Sequence, residues 1–223
     1  MCFSPEADLA VGTIAIAVGV DALRHVRITR QIPLASVPLL LGLHQVTEAF
    51  VWWGLQGHVA HAVERVALWI YLLFALVALP PILTIGVGLV EQSAAHRKVI
   101  WACAGIATAV ATVLAFAMFR GSLGSVMQHH YIAYDTSALA DGGRLTALYV
   151  VATCGALLAS TYRDLELLGA LNLVAVPVLA WLSLSGFISL WCFWAAIVSI
   201  VIAFHMRRVT NDPGTRLAVA VHS

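Results

Sequence analysis

Residue type and spacing first suggest chemistry at His44 and Glu48, an imidazole and a carboxylate four residues apart. On a helix, positions four apart share a face, and Gln45 and Trp52 flank the pair. Such a pair can move a proton, hold a cation or, with the carboxyl neutral, bond two helices together. Two further groups extend the set. The thiols of Cys2 and Cys192 can form a disulfide in an oxidising compartment or ligate a soft metal. The adjacent His129 and His130, followed by Tyr131 and Tyr134, offer imidazole ligands. The metal-ligating candidates are therefore Cys2, His44, Glu48, His129, His130 and Cys192. Glu48 and His130 are the acid–base candidates, with Gln45, Trp52, Tyr131, Tyr134 and Trp191 in support. Thiolate and imidazole together point to copper or zinc.

These residues must be positioned by a membrane bundle. Of the 223 residues, 61% are hydrophobic and 10% charged, and the mean hydropathy is +0.94. A soluble domain carries about 25% charged residues. Seven apolar stretches can be read, at about 5–23, 34–54, 66–90, 99–119, 145–162, 167–182 and 187–206, most near the ~20 residues that cross a bilayer. The expectation is an all-α, polytopic bundle of about seven transmembrane helices forming one domain over 1–208, with a short polar tail over 209–223. No strand alternation suggests a barrel. Ser4, Pro5 and Glu6 make a good helix start. The opening Met-Cys-Phe-Ser-Pro-Glu-Ala-Asp lacks the basic segment of a signal peptide, so the first stretch is expected to stay as a helix. Pro38, Pro80-Pro81 and Pro177 fall inside stretches, where each removes a backbone donor and should kink its helix. Arg24 precedes Val37-Pro38 by the spacing at which Arg163 precedes Val176-Pro177, which suggests a repeat of helices one to three in helices five to seven.

Basic residues set the orientation. Arg24, Arg27, Arg30, Arg97, Lys98, Arg163, Arg207, Arg208 and Arg216 fall on the side of the C-terminus, against Arg65, Arg120 and Arg144 on the other. The positive-inside rule puts the N-terminus outside and the C-terminus in the cytoplasm. Glu48 then lies about 9 Å below the outer end of its helix, in the leaflet of Cys2 and Cys192, beneath the polar 128–135 loop, which is placed to fold as a lid. His58, His61 and Glu64 read as a solvated face. His25, His96, His205 and His222 read as ordinary cytoplasmic-side histidines, His205 at the interface, and Cys103 and Cys154 as small core residues.

The opening Met1-Cys2-Phe3-Ser4, the Gln45, Glu48, Trp52 stretch, the His130–Tyr134 segment and Trp191-Cys192-Phe193 with Ala195, Ala196 and Ser199 together resemble an uncharacterised family of bacterial multi-pass membrane proteins that begin Met-Cys-Phe-Ser. The resemblance implies a bacterial inner-membrane protein and no established activity. His44 stands where that family carries glutamine.

Several classes drop out. Net charge is +1 and no nucleic-acid motif is present, so the bilayer is the expected partner and nucleic acid is not. Lys98 is the only lysine, which leaves no retinal Schiff base in the last helix. Depth separates His44 from His205 as haem ligands, and the last helix lacks the paired histidines of an alkaline-ceramidase-type zinc hydrolase. Three readings stay open: an outward-facing metal-binding or thiol-redox site, whether or not it catalyses a reaction; a small-solute or ion transporter coupled through Glu48; and an accessory subunit of a membrane complex or homo-oligomer.

Overall fold

The computed structural model describes residues 4–120, 124–127, 132–135, 142–182 and 187–211. Among these the chain forms seven helical rods and one short hairpin. In order they are α1 (Pro5–Arg24), α2 (Ile32–Leu55), α3 (His61–Leu73), α4 (Leu79–Val90), α5 (Ala94–Arg120), strands β1 (Gly124–Met127) and β2 (Ile132–Asp135), α6 (Gly142–Leu158), α7 (Arg163–Leu182) and α8 (Phe187–Asn211). A π-helical turn, Phe74–Ala78, joins α3 to α4 as one rod. The rods match the seven apolar stretches. Among the described residues, four segments are long and apolar enough to cross a membrane, namely Thr29–Leu55, His61–Val90, Ala94–Arg120 and Arg163–Leu182. Burial is inverted relative to a water-soluble bundle. Trp181, Phe119 and Val174 are exposed, whereas Asp8, Gln45 and Glu48 are fully buried, the pattern of a protein whose solvent is lipid.

Local chemistry explains the helix starts and breaks. Ser4 Oγ accepts a hydrogen bond from Ala7 N at 3.3 Å, with Pro5 at the first position of α1. The third rod begins at His61, earlier than the apolar run, because its first turn is polar yet still helical. Pro38 and Pro177 lie within unbroken helices. The suggested repeat does not extend to packing, since Pro38 is buried and Pro177 exposed.

Pro80-Pro81 instead coincides with the π turn. There Leu79 N bonds back to Phe74 O, one residue beyond the α-helical partner. That shift takes from Ala75 O its α-helical donor, and Pro80 has no N–H with which to replace it. The hydroxyl of Tyr149 on α6 donates to Ala75 O at 3.0 Å instead.

The segment read as a loop between the fourth and fifth stretches contains the hairpin. β1 and β2 pair antiparallel, with Gly124 opposite Asp135 and Met127 opposite Ile132. β1 lies against α2 and β2 against α8. Alternation too short to register in a polar context hid these strands.

Candidate functional site

The site is built on close backbone contact between α1 and α2. Along α1 the buried positions are Pro5, Asp8, Gly12, Ala15, Gly19 and Ala22, a stripe of small residues interrupted once by a carboxylate. A Cβ placed on Gly12 would stand 2.9 Å from Gly42 O and 3.2 Å from Gln45 Cβ, and one on Gly19 only 2.2 Å from Leu39 N. The two helices run antiparallel, because Gly12 meets Gly42 and Gln45 while the later Gly19 meets the earlier Leu39. One turn before Gly12, Asp8 stands at the level of Glu48, one turn beyond Gln45. Both carboxyl groups are therefore sealed at one depth beside the same helix seam, and each is fully buried.

Glu48 projects between the directions of His44 and Gln45 at 100° per residue. On the α3 side, the His44 ring stacks on Tyr71 with centroids 4.0 Å apart and planes 13° from parallel, and it meets Phe74 at 4.8 Å. On the α1 side, Gln45 is fully buried, and neither Oε1 nor Nε2 has a hydrogen-bond partner in the structure. Trp52, one turn above Glu48, is also buried with Nε1 unpartnered. Buried amide and indole groups are costly to leave unpaired, so Gln45 and Trp52 mark a place where a polar ligand or water is favoured.

His44, Gln45, Glu48 and Trp52 thus come together as the helical spacing requires. Cys2, His129, His130 and Tyr131 lie outside the described residues. Tyr134 is on β2, where its backbone pairs opposite Ser125, and Cys192 is on α8 beside the nearly buried Trp191. The side chains of Tyr134 and Cys192 are outside the description, and so is a Cys2–Cys192 disulfide. Among the described residues no three His, Cys, Asp or Glu side chains converge as a metal-ligand set. His58, His61 and Glu64 are not a solvated face throughout: His58 precedes α3, and Glu64, whose Oε2 pairs with His61 Nδ1 at 2.7 Å, is nearly buried against Gly54.

Asp8 is the site residue that the sequence reading missed. Its signal was present in the spacing Pro5, Asp8, Gly12, Ala15, Gly19, Ala22, which places the carboxylate in register with the buried small residues of α1.

A narrow cavity of about 40 Å³ lies between α2, α4, α6, α7 and α8, with Leu41, one turn from His44, in its wall. Its polar lining is Tyr149, Thr153, Asn172, Trp191 and Ser199. Most of these groups already bond the protein: Thr153 Oγ1 donates to Tyr149 O, Ser199 Oγ to Ala196 O, and Trp194 Nε1 to Asn172 Oδ1 at 2.9 Å.

The opposite, arginine-rich end is tied by carboxylates. Glu91 accepts from Ser93 N at 2.9 Å, Ser160 Oγ at 3.1 Å, Thr161 N at 2.8 Å and Thr161 Oγ1 at 2.7 Å. Burial alone would raise its carboxyl, but these bonds favour the anion and hold it below the ordinary glutamate value. Asp164 accepts from Arg208 at 2.9 Å and Asp21 from Arg207 at 2.7 Å. His205 is buried, edge-on to Tyr162 and 3.7 Å from Asp164. It is packed within the bundle beside Tyr162 and Asp164, at the same end as Arg207 and Arg208.

No curated protein and no solved structure matches this chain. A family profile does match, over residues 1–216, and by that match the chain belongs to the family of unknown function DUF6629.

Proposed function

We propose that this is a seven-span protein of the bacterial inner membrane, with residues 1–208 as its single domain and 209–223 as a cytoplasmic tail. It carries a polar site in its outward-facing leaflet, built around Glu48 and His44 on α2 and completed by Cys2, His129, His130 and Cys192. The site binds a metal, copper or zinc by the softness of thiolate and imidazole, or carries thiol redox chemistry. One observation supports this reading above others. Glu48 is fully buried at the end of the bundle that holds the start of α1, and intramembrane carboxylates are functional by default. The hairpin against α2 and α8 lies over the same end, consistent with a cover above the site.

Elemental analysis of purified full-length protein, beside Cys2→Ser and Cys192→Ser, tests the proposal. Stoichiometric copper or zinc, lost in both variants, supports the metal site, and a disulfide or a shared thiol potential lost in either supports the redox form. Metal-free protein whose two thiols react independently overturns both.

A further inference from the structure

We infer that Arg97, Lys98 and Trp101 on α5 form, against Gly88 of α4, a binding site for the head of one anionic glycerophospholipid. The inference is independent of the outward site proposed above and requires only that α5, one of the long apolar segments, crosses the bilayer. Arg97 and Lys98 are the fourth and fifth residues of α5, whose first turn holds no acid. The positive end of a helix dipole repels cations, so both charges are unfavourable there until an anion answers them. Both side chains are exposed, and neither has a hydrogen bond or ion pair among the described residues. Glu91, the acid closest in sequence, is engaged by Ser93 N, Ser160 Oγ and both donors of Thr161. Asp21 and Asp164 are bonded to Arg207 and Arg208.

Trp101 indicates which anion fits. At 100° per residue Arg97 and Lys98 project on either side of it, one turn nearer the arginine-rich end. Its indole lies over the notch left by Gly88, where an added Cβ would stand 3.4 Å from Trp101 Cε2 and 3.6 Å from Nε1. Although seated on α4, Trp101 is 43% exposed, and Nε1 makes no hydrogen bond among the described residues. Long basic side chains reach towards water, whereas an indole with one polar N–H settles at the membrane interface. A phosphate held by Arg97 and Lys98 therefore has its glycerol esters at the depth of Nε1 and its acyl chains along α5. A soluble phosphate would leave the indole without a role. Two cations favour a head of net negative charge over one whose own ammonium offsets the phosphate.

Native mass spectrometry of the full-length protein in a neutral detergent tests this, with phosphatidylglycerol and phosphatidylethanolamine of the same acyl chains as probes. The first phosphatidylglycerol should bind about tenfold or more tightly than the first phosphatidylethanolamine. Arg97→Gln with Lys98→Gln should abolish that preference, and Trp101→Leu should weaken phosphatidylglycerol binding by about threefold or more. Arg27→Gln with Arg30→Gln, an equal loss of charge at the same end, should bind as wild type does. Without lipid, the Arg97/Lys98 variant should melt no lower than wild type, because two cations leave the start of α5. Added phosphatidylglycerol should then raise the Tm of wild type and not of that variant. Inorganic phosphate should neither displace the lipid nor raise the Tm; if it does both, the site takes a soluble anion and the lipid assignment falls. Equal affinity for the two lipids in folded wild type, or an equal loss in the Arg27/Arg30 variant, overturns the inference by reducing the effect to general surface charge. Cys2→Ser and Cys192→Ser should leave every readout unchanged, so the outward site and the lipid site stand or fall separately.

Discussion

The hydroxyl of Tyr149 donates to the main-chain carbonyl of Ala75 across the bundle, at 3.0 Å, and so repairs a hydrogen bond that Pro80 cannot make. A π turn and a double proline would otherwise leave that carbonyl bare in an apolar interior. Replacing Tyr149 by Phe should therefore destabilise the fold by about 1–3 kcal/mol, the cost of an unsatisfied buried acceptor. Pro80→Ala restores an N–H within reach of the π turn, so Tyr149→Phe should cost less in that background. Unfolding in mixed micelles, run as a double-mutant cycle, measures the coupling, and strictly additive effects would disprove the repair.

Gly19 and Gly105 give opposite answers to the same substitution. A methyl group on Gly19 would enter the backbone of α2 at Leu39, whereas one on Gly105 meets nothing within 4 Å. Gly19→Ala should push α1 away from α2 and cost about 1–3 kcal/mol or more. Gly105→Ala should be neutral or stabilise α5 by up to about 1 kcal/mol, because it removes only backbone freedom. Comparing the two melting temperatures in one detergent checks the claim, and equal shifts would contradict it.

Glu91 makes the fold sensitive to acid. Its carboxyl is held below the ordinary value in the folded protein, so the stabilisation is fully present above the unfolded glutamate range. It is lost as pH falls through the lower, folded value. Glu91→Gln removes the charge and turns an amide donor towards the Thr161 and Ser160 donors. The loss should be about 1.5–3 kcal/mol at neutral pH, and the variant should show a flatter stability profile on the acid side. An unchanged acid limb in Glu91→Gln would mean that another group sets it.

Much of this architecture can be read from residues alone, and the failures have physical causes. The seven apolar runs locate the seven rods, and Pro80-Pro81 marks the place where the third changes its hydrogen-bond ladder. His44 and Glu48 are brought together by the 3.6-residue repeat, which needs no tertiary information. Asp8 escaped notice because an acidic residue in a first turn is already explained by the helix dipole; only its register with Gly12 and Gly19 reveals burial against α2. The burial of His205 is not legible from Arg207-Arg208 beside it, because only the packing of α8 shows that its ring faces inward to Tyr162 and Asp164. Strands β1 and β2 are four residues each, too short for alternation to stand out from a polar segment.

Topology is the prediction on which the placement of the site depends. The loop after α1 carries Arg24, Arg27 and Arg30 at or near it, and the turn before α5 is followed by Arg97 and Lys98. Short loops with this bias stay in the cytoplasm. A phosphatase reporter that works only outside should therefore be active when fused at Gly57 and silent at Gln92, and a reporter fluorescent only in the cytosol should show the reverse. Fusion at Asn211 should behave like Gln92, because seven crossings put the two ends on opposite faces. Activity of the phosphatase at both Gly57 and Asn211 would mean an even number of crossings. Its silence at Gly57 alone would turn the bundle over, exposing Glu48 and the thiols to a reducing compartment where a disulfide does not persist.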